Sequence, residues 1–328
     1  MDQFDDWCAR VTIWIDRRWE GQHGIGRYAH EVARQMPDYE RIEVGGSPAS
    51  KLDYLRARRG VSRGDLIYNP GFNPWSGKCR QLLTIHDLIH LRATEVKGQL
   101  MRAYYDRLVR PTIERAGVVL TVSRTSEAAI REWLGSDTVD IVNAGNGVSD
   151  AFVPDGKRYM RDRPYILYVG NMKPHKNVRS MVEACKYLPE YDLVVVTKDG
   201  ARLEELREEV GLERSRVECV AGSSDDDLAS LYRGATVTAV PSLIEGFGLP
   251  ALESVCSGTP VVYWRGCESV AEIVGNNGVG SVSATDPNSW AEAVARARGI
   301  RVDSRAARSA YSWESVARSA RATVEALA

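Results

Sequence analysis

No apolar stretch of the chain approaches the roughly 20 residues that a membrane-spanning helix needs, so a spanning segment is not expected. No Cys-x-x-Cys pair occurs. Cys8, Cys79, Cys185, Cys219, Cys256 and Cys267 are scattered, several of them in apolar runs. That pattern excludes a zinc ribbon or a disulfide frame and reads as reduced core thiols of a cytoplasmic protein. Charge excess is missing as well: 43 Lys and Arg against 44 Asp and Glu leave a net charge of −1, so bulk electrostatic binding of nucleic acid is not expected. Asp2, Asp5 and Asp6 precede any apolar run, and no secretory signal is read there. Short-period repeats and low-complexity segments are absent too. What remains is a globular balance, 44% hydrophobic and 27% charged over 328 residues, with length for two domains.

Short apolar runs alternate with helical stretches along the whole chain. In the first half, Val11–Ile15, Leu66–Tyr68, Leu82–Ile85, Val118–Val122 and Val139–Val142 read as strands. In the second half the strands are Tyr165–Gly170, Leu193–Val196, Val217–Val220, Ala235–Val240 and Val261–Trp264. Alternation of this kind predicts parallel, doubly wound sheets. The turn-rich run 154–164 reads as a linker, giving domains 1–157 and 158–328, with a last amphipathic helix at 313–328.

One stretch organises the rest. After the strand Ala235–Val240 comes Pro241-Ser-Leu-Ile-Glu245-Gly246-Phe247-Gly248-Leu249-Pro250-Ala-Leu-Glu253. Pro250 suits the first position of a helix, where no N–H is needed, and Gly258 and Pro260 end that helix. A strand, a glycine-bearing loop and a helix start place backbone N–H groups at the carboxyl edge of a parallel sheet, where anionic ligands bind. Gly246 and Gly248 let a ligand approach the backbone closely. Glu245 and Glu253, with seven residues between them, offer two carboxylates to hydroxyl groups. Read singly, Glu253 is also an ordinary partner for the helix dipole and the glycines are ordinary turn residues.

Taken together, Glu245 to Glu253 resembles the Glu-x7-Glu motif of the retaining glycosyltransferases of family 4, and the flanking Pro241-Ser242 and Ser257-Gly-Thr-Pro-Val-Val262 fit the same pattern. The resemblance implies the GT-B fold, two Rossmann-like parallel-sheet domains facing a central cleft, with a nucleoside-diphosphate sugar held by the second, the acceptor by the first, and the last helix, 313–328, crossing back onto the first. It implies that Glu245 takes the hydroxyls of the donor sugar and Glu253 the ribose diol, with Gly246, Phe247, Gly248 and Leu249 lining the donor site. Lys176, in the loop Asn171–Asn177 after a strand, matches the basic pair that meets the diphosphate. Asn171 stands where many members have arginine, and Lys173 is the candidate replacement for that charge. His86, in the His86-Asp87 pair at a strand end, matches a histidine near the donor sugar, with Asp87 fixing its tautomer or capping the next segment. Asn146-Gly147-Val148 and Phe152 match the segment that closes the first domain.

Gly24-x-Gly26-x-x-Ala29 opens a helix running to about Met36. It could be a dinucleotide fingerprint, with Glu43 downstream, but a loop of seven residues, Arg17–His23, separates it from its strand. A similar turn in the family faces donor phosphates and acceptor. His23, His30 and His90 carry no functional reading.

Residues 97–115 read as one helix with Tyr104, Tyr105, Leu108 and Val109 on one side and arginines around them: a solvated helix packed on the sheet, or a peripheral membrane contact. Asp225-Asp226-Asp227 looks like a metal-binding acidic motif, but follows Ser223-Ser224 and reads as the first turn of a helix. No metal and no cofactor are expected. Gly170–Asn177 and Thr84–Leu88 resemble the corresponding segments of bacterial polysaccharide mannosyltransferases, which implies mannose from GDP-mannose as the donor and a glycan or polyprenyl-linked saccharide, at the inner face of the membrane, as the acceptor. A sugar-nucleotide epimerase or phosphorylase of the same fold, an oxidoreductase and a non-catalytic nucleotide-sugar-binding protein are the alternatives.

Overall fold

The computed structural model describes residues 11–21, 24–42, 44–56, 58–92, 96–222 and 224–328; the readings on Asp2, Asp5, Asp6, Cys8, His23, Glu43 and Ser223 lie outside them. The chain divides into two compact units, Met1–Asn146 with Trp313–Ala328, and Gly147–Ser312. The sequence reading drew the line after residue 157.

The first unit runs β1 (Ile13–Ile15), α1 (Gly24–Arg34), β2 (Glu40–Arg41), β3 (Leu66–Asn69), β4 (Arg80–Ile85), α2 (Val96–Tyr104), α3 (Arg110–Ala116), β5 (Val118–Thr121), α4 (Arg124–Leu134) and β6 (Asp140–Asn143). Its described strands pair in parallel in the order β2-β1-β3-β4-β5-β6. Parallel neighbours need crossovers, and helices supply them over the sheet faces. β3 and β5 are accordingly buried along their whole length. Chain order reverses beside β1, so the ligand crevice of this sheet type lies outside the carboxyl ends of β1 and β3.

The loop after β1 does more than connect β1 to α1. Trp19 is buried in it, and Arg18 bridges Asp16 and Asp53, donating to both oxygens of Asp53 at 2.9 Å. Burial pushes the Asp53 carboxyl up, but hydrogen bonds and charge from Arg18 and Arg58 outweigh it and hold the group below its ordinary range.

The single helix expected over 97–115 is interrupted. Between α2 and α3 the residues Tyr105–Val109 form one wide π turn, with the Arg110 N–H reaching back to the Tyr105 carbonyl. Pro111 explains it: proline lacks an N–H, and in a regular α-helix its ring collides with the carbonyl four residues back. The wider turn still delivers Tyr105 and Val109 to a core of Leu83, Ile85, Ile113, Val119 and Ile130. Gly117, at φ +75°, ends the run.

The second unit continues with β7 (Tyr165–Val169), α5 (Val178–Ala184), β8 (Asp192–Val196), α6 (Gly200–Val210), β9 (Val217–Val220), α7 (Asp225–Gly234), β10 (Val237–Val240), α8 (Leu249–Cys256), β11 (Val261–Trp264), α9 (Glu268–Val274), β12 (Gly278–Ser281), α10 (Pro287–Ala297) and α11 (Ser304–Ala310). Its described strands are parallel in the order β12-β11-β10-β7-β8-β9. One face is covered by α5, α6 and α10, whose Met181, Val182, Leu203, Leu206, Trp290 and Val294 meet Leu193 and Val195 of β8. Ser224 caps α7, accepting the Asp227 N–H at 3.2 Å, so Asp225–Asp227 occupy the first helical turn. Cys79, Cys185, Cys256 and Cys267 are buried, but Cys219 is exposed on the edge strand β9 and is not a core thiol.

The last helix, α12 (Trp313–Leu327), belongs to the first unit. Trp313 packs edge-on to Tyr28 of α1, and Arg321 grips Asp38 through two hydrogen bonds, at 2.8 and 3.0 Å, while lying over the Tyr39 ring. Among the described residues no helix is long and apolar enough to cross a membrane.

Candidate functional site

The second sheet reverses its chain order between β7 and β10. β7 leads outward to β8 and β9, and the chain then returns to place β10 on the other side of β7. The two loops that leave the carboxyl ends of these neighbouring strands must diverge around a crevice. One carries Lys176, the other Glu245.

The first loop is held open by its own chemistry. Gly170 takes φ +154°, with its missing Cβ facing the Tyr168 hydroxyl, and Tyr168 donates to the Asn171 carbonyl at 2.6 Å. Asn171 Oδ1 accepts the Lys173 N–H at 3.1 Å, and Asp199 accepts the Met172 N–H at 3.0 Å. Asn171 therefore works as a loop-closing residue here, and the Lys173 side chain is exposed. A short 3-10 turn, Pro174–Lys176, ends at Asn177, which adopts the left-handed conformation (φ +52°) and anchors the turn by donating to the Ala284 carbonyl at 2.7 Å.

The second loop is tied to the first. The Leu243 N–H donates to the His175 carbonyl at 2.7 Å. Lys176 Nζ then meets Glu245 Oε1 at 2.6 Å, with side chains only 17% and 12% exposed. Ser242 Oγ donates to the same carboxylate oxygen, and Ser269 Oγ at the start of α9 donates to the Glu245 backbone carbonyl at 3.0 Å. Burial raises the Tyr168 hydroxyl well above its ordinary range, and the negative charges of Glu245 and Asp199 add to the effect; Tyr168 is a fixed donor. Cys267 is pushed up to about 11 by burial and by Glu245.

Gly248 takes φ +114° and caps α8, with Val270 packed where a Cβ would stand. Phe247 turns inward and packs edge-on to Tyr311, centroids 5.6 Å apart, so its side chain anchors the loop. Gly246 and Leu249 lie partly exposed on either side. Glu253, one turn into α8, is 5% exposed, and its Oε2 accepts the hydroxyl of Tyr232 from α7 at 2.9 Å.

In the first unit, His86 follows β4 at its carboxyl end. Its Nε2 lies 3.0 Å from the Pro70 carbonyl; a carbonyl only accepts, so Nε2 carries a proton. The ring packs edge-on to Tyr28, and the His86 carbonyl accepts from Ser126 Oγ at 2.7 Å. Asp87 accepts the Ile89 N–H at 2.9 Å and caps the next turn. Gly24 begins α1. A Cβ on Gly26 would lie 2.5 Å from the Gly21 carbonyl oxygen, so close packing of the preceding loop is what requires glycine there.

The structure thus gathers Lys176, Glu245, Gly246 and Gly248 at one sheet edge, with Glu253 beneath, and places His86, Gly24 and Gly26 in the other unit. Sequence reasoning missed Ser269, Tyr168 and Tyr232, and took Ser242 only as part of the motif, without a role. Ser242 sits three residues before Glu245, but nothing local marks Tyr232 as the partner of Glu253. Chemically, the pair at the crevice offers one ammonium to an anion and one carboxylate to hydroxyl donors.

Residues 156–310 match the family described as Glycosyl transferases group 1. The chain is 29% identical to the O-antigen chain mannosyltransferase B of Escherichia coli, over 76% of this chain and 71% of that protein. It is 28% identical to an O-antigen chain mannosyltransferase of Salmonella typhimurium, over 65% of this chain and 60% of that protein. A D-inositol 3-phosphate glycosyltransferase of Mycobacterium tuberculosis is 32% identical, over 64% of this chain and 46% of its own length. Among solved structures, a glycosyltransferase from Rickettsia africae superposes with a TM-score of 0.70 at 18% identity, covering 97% of this chain and 99% of that one. The sucrose-phosphate synthase of Thermosynechococcus elongatus gives 0.68 at 20% identity, covering 97% and 95%. With its two parallel sheets, the chain has the GT-B fold.

Proposed function

From the match of residues 156–310 to the family described as Glycosyl transferases group 1, we propose that the protein is a retaining glycosyltransferase that moves mannose from GDP-mannose to a glycan or polyprenyl-linked saccharide in cell-surface polysaccharide synthesis. The observation that carries this reading is the Lys176–Glu245 pair at the point where the second sheet reverses order. The named mannosyltransferase relatives support the sugar and the polysaccharide setting.

Transfer breaks the bond from the anomeric carbon to the diphosphate while the acceptor oxygen bonds to that carbon, its proton passing to the departing phosphate. Positive charge develops on the sugar ring and negative charge on the departing diphosphate, so a preorganised cation beside the phosphate accelerates the step. Lys176 supplies that cation. Glu245 holds it at 2.6 Å; when a donor binds, the two exchange partners, the ammonium turning to phosphate oxygens and the carboxylate to sugar hydroxyls. Each charge thereby keeps a partner while water is excluded, which a partly buried pair requires. Glu253, held by Tyr232, takes the ribose diol. Lys173 lends a second cation, and the backbone of Gly246–Leu249 gives close approach. His86, Gly24 and Gly26 serve donor and acceptor from the first unit.

Incubating the protein with GDP-mannose and a lipid-linked saccharide, and following nucleoside diphosphate by chromatography and the new glycosidic bond by NMR, tests the reading. The expected product has the donor's anomeric configuration. Inversion would remove the retaining assignment, and an altered sugar nucleotide formed without acceptor would make the protein an epimerase. Glu245→Gln should weaken sugar nucleotide binding more than binding of the free nucleoside diphosphate; equal losses would move Glu245 away from the sugar.

A further inference from the structure

The first unit has a cavity of about 540 Å³ whose lining includes Arg63, Lys78, Arg107 and Arg115, with Tyr54 and Ser76 among the other walls. It lies at the opposite edge of the sheet from His86. Arg63 and Lys78 precede β3 and β4, and Arg115 ends α3 just before β5, so the cavity faces the amino ends of these strands. β4 alone separates Lys78 from His86 by about 20 Å.

None of these four cations has a carboxylate within ion-pair distance or a side-chain hydrogen bond among the described residues, and no carboxylate lines the cavity. The chain as a whole carries 43 cationic and 44 anionic side chains, so four unpaired cations around one concavity are a local excess. Like charges gathered in a concave surface repel one another and raise the local positive potential. The walls are built rather than loose. Gln81, buried, holds the Trp75 backbone from both sides, accepting its N–H and donating to its carbonyl at 2.7 Å each. The Ser76 N–H donates to the Tyr54 carbonyl at 2.9 Å. Arg107 stands in the π turn imposed by Pro111, and such turns recur at functional sites.

We propose that this cavity binds a phosphoryl anion, with the guanidinium forks of Arg107 and Arg115 and the charges of Arg63 and Lys78 on its oxygens. The volume admits a diphosphate or a phosphate ester. Leu52 and Leu55, each 72% exposed, lie on the same short turn as Tyr54, where they would meet the acyl chains of a phospholipid whose headgroup filled the cavity.

Inorganic pyrophosphate is the probe for titration calorimetry on the full chain. Because Lys176 offers a second place for it, the test compares three proteins: wild type, Lys176→Ala and R107Q/R115Q. A binding step that persists in Lys176→Ala and weakens at least tenfold in R107Q/R115Q supports the site. Identical isotherms for wild type and R107Q/R115Q overturn it. R63Q/K78Q, both in loops, gives the same reading if R107Q/R115Q does not fold. Sedimentation with phosphatidylcholine vesicles, with and without 30% phosphatidylglycerol, separates the sources. Binding only to the anionic vesicles, lost in the same variants, identifies a lipid phosphate; pyrophosphate binding without it identifies a soluble one.

Discussion

Tyr232 donates its hydroxyl hydrogen to Glu253 at 2.9 Å, both side chains being buried between α7 and α8. A buried carboxylate needs such donors. Tyr232→Phe removes one charge-assisted hydrogen bond, worth about 1.5–3 kcal/mol. The melting temperature should fall by roughly 2–4 °C per kcal/mol lost. If Glu253 holds the ribose, the KM for the donor should rise with kcat at saturating donor little changed. A fall in kcat alone would place Glu253 elsewhere in the reaction.

Gly26→Ala should destabilise the first unit. The added Cβ would meet the Gly21 backbone at 2.5 to 2.7 Å, and backbone cannot yield as a flexible side chain does. Overpacking of this kind costs about 1–3 kcal/mol, readable by urea denaturation. An unchanged midpoint would show that the loop before α1 moves aside freely.

Stability should decline on mild acidification because of His90. Its ring lies 4.6 Å from the Tyr105 ring and 6.2 Å from the Phe72 ring, and burial lowers its pKa, with the nearby Asp87 charge opposing. The unfolded chain therefore takes up the proton first, below about pH 6.5. Stability is full above that pH and falls as pH drops toward the folded-state value. His90→Phe should flatten the slope of melting temperature between about pH 7 and 5. An unaltered slope would assign the acid sensitivity to other groups.

Thiol labelling should discriminate among the described cysteines. Burial pushes Cys185 and Cys256 up to about 12 and Cys79 and Cys267 up to about 11, whereas Cys219 is exposed. Reactivity follows thiolate fraction and access. An aromatic disulfide reagent at about pH 8 should label Cys219 in the native protein and the other four only after unfolding, as peptide mapping would show. Native labelling of Cys267 would mean that the Glu245 loop opens in solution.

Much of this was legible in the sequence. β7, β10 and β11 announce themselves as uncharged runs between turn residues, and Glu245 and Glu253 by their spacing. Three features were not. β12 contains Gly278, where a Cβ would lie 2.0 Å from the Val261 carbonyl oxygen; the close approach of two strands demands glycine, and glycine hides the strand from propensity. The π turn before α3 follows from Pro111, but an apolar pattern through Tyr104, Tyr105 and Val109 reads as one helix. The resemblance puts Lys176 and Glu245 at one donor, but their direct ion pair, 69 residues apart, depends on β10 returning to pair with β7, and no local pattern encodes which strand a later one will join.

The central claim is that Lys176 stabilises a departing diphosphate while Glu245 holds the sugar. The most direct measurement is kcat for Lys176→Ala at saturating donor, with folding checked by the melting temperature and by Lys176→Ala combined with Glu245→Gln, which removes the unpaired carboxylate. The account predicts a fall in kcat of roughly 10²–10³ in the single variant, not restored in the double. Turnover equal to wild type in a folded Lys176→Ala protein would contradict it.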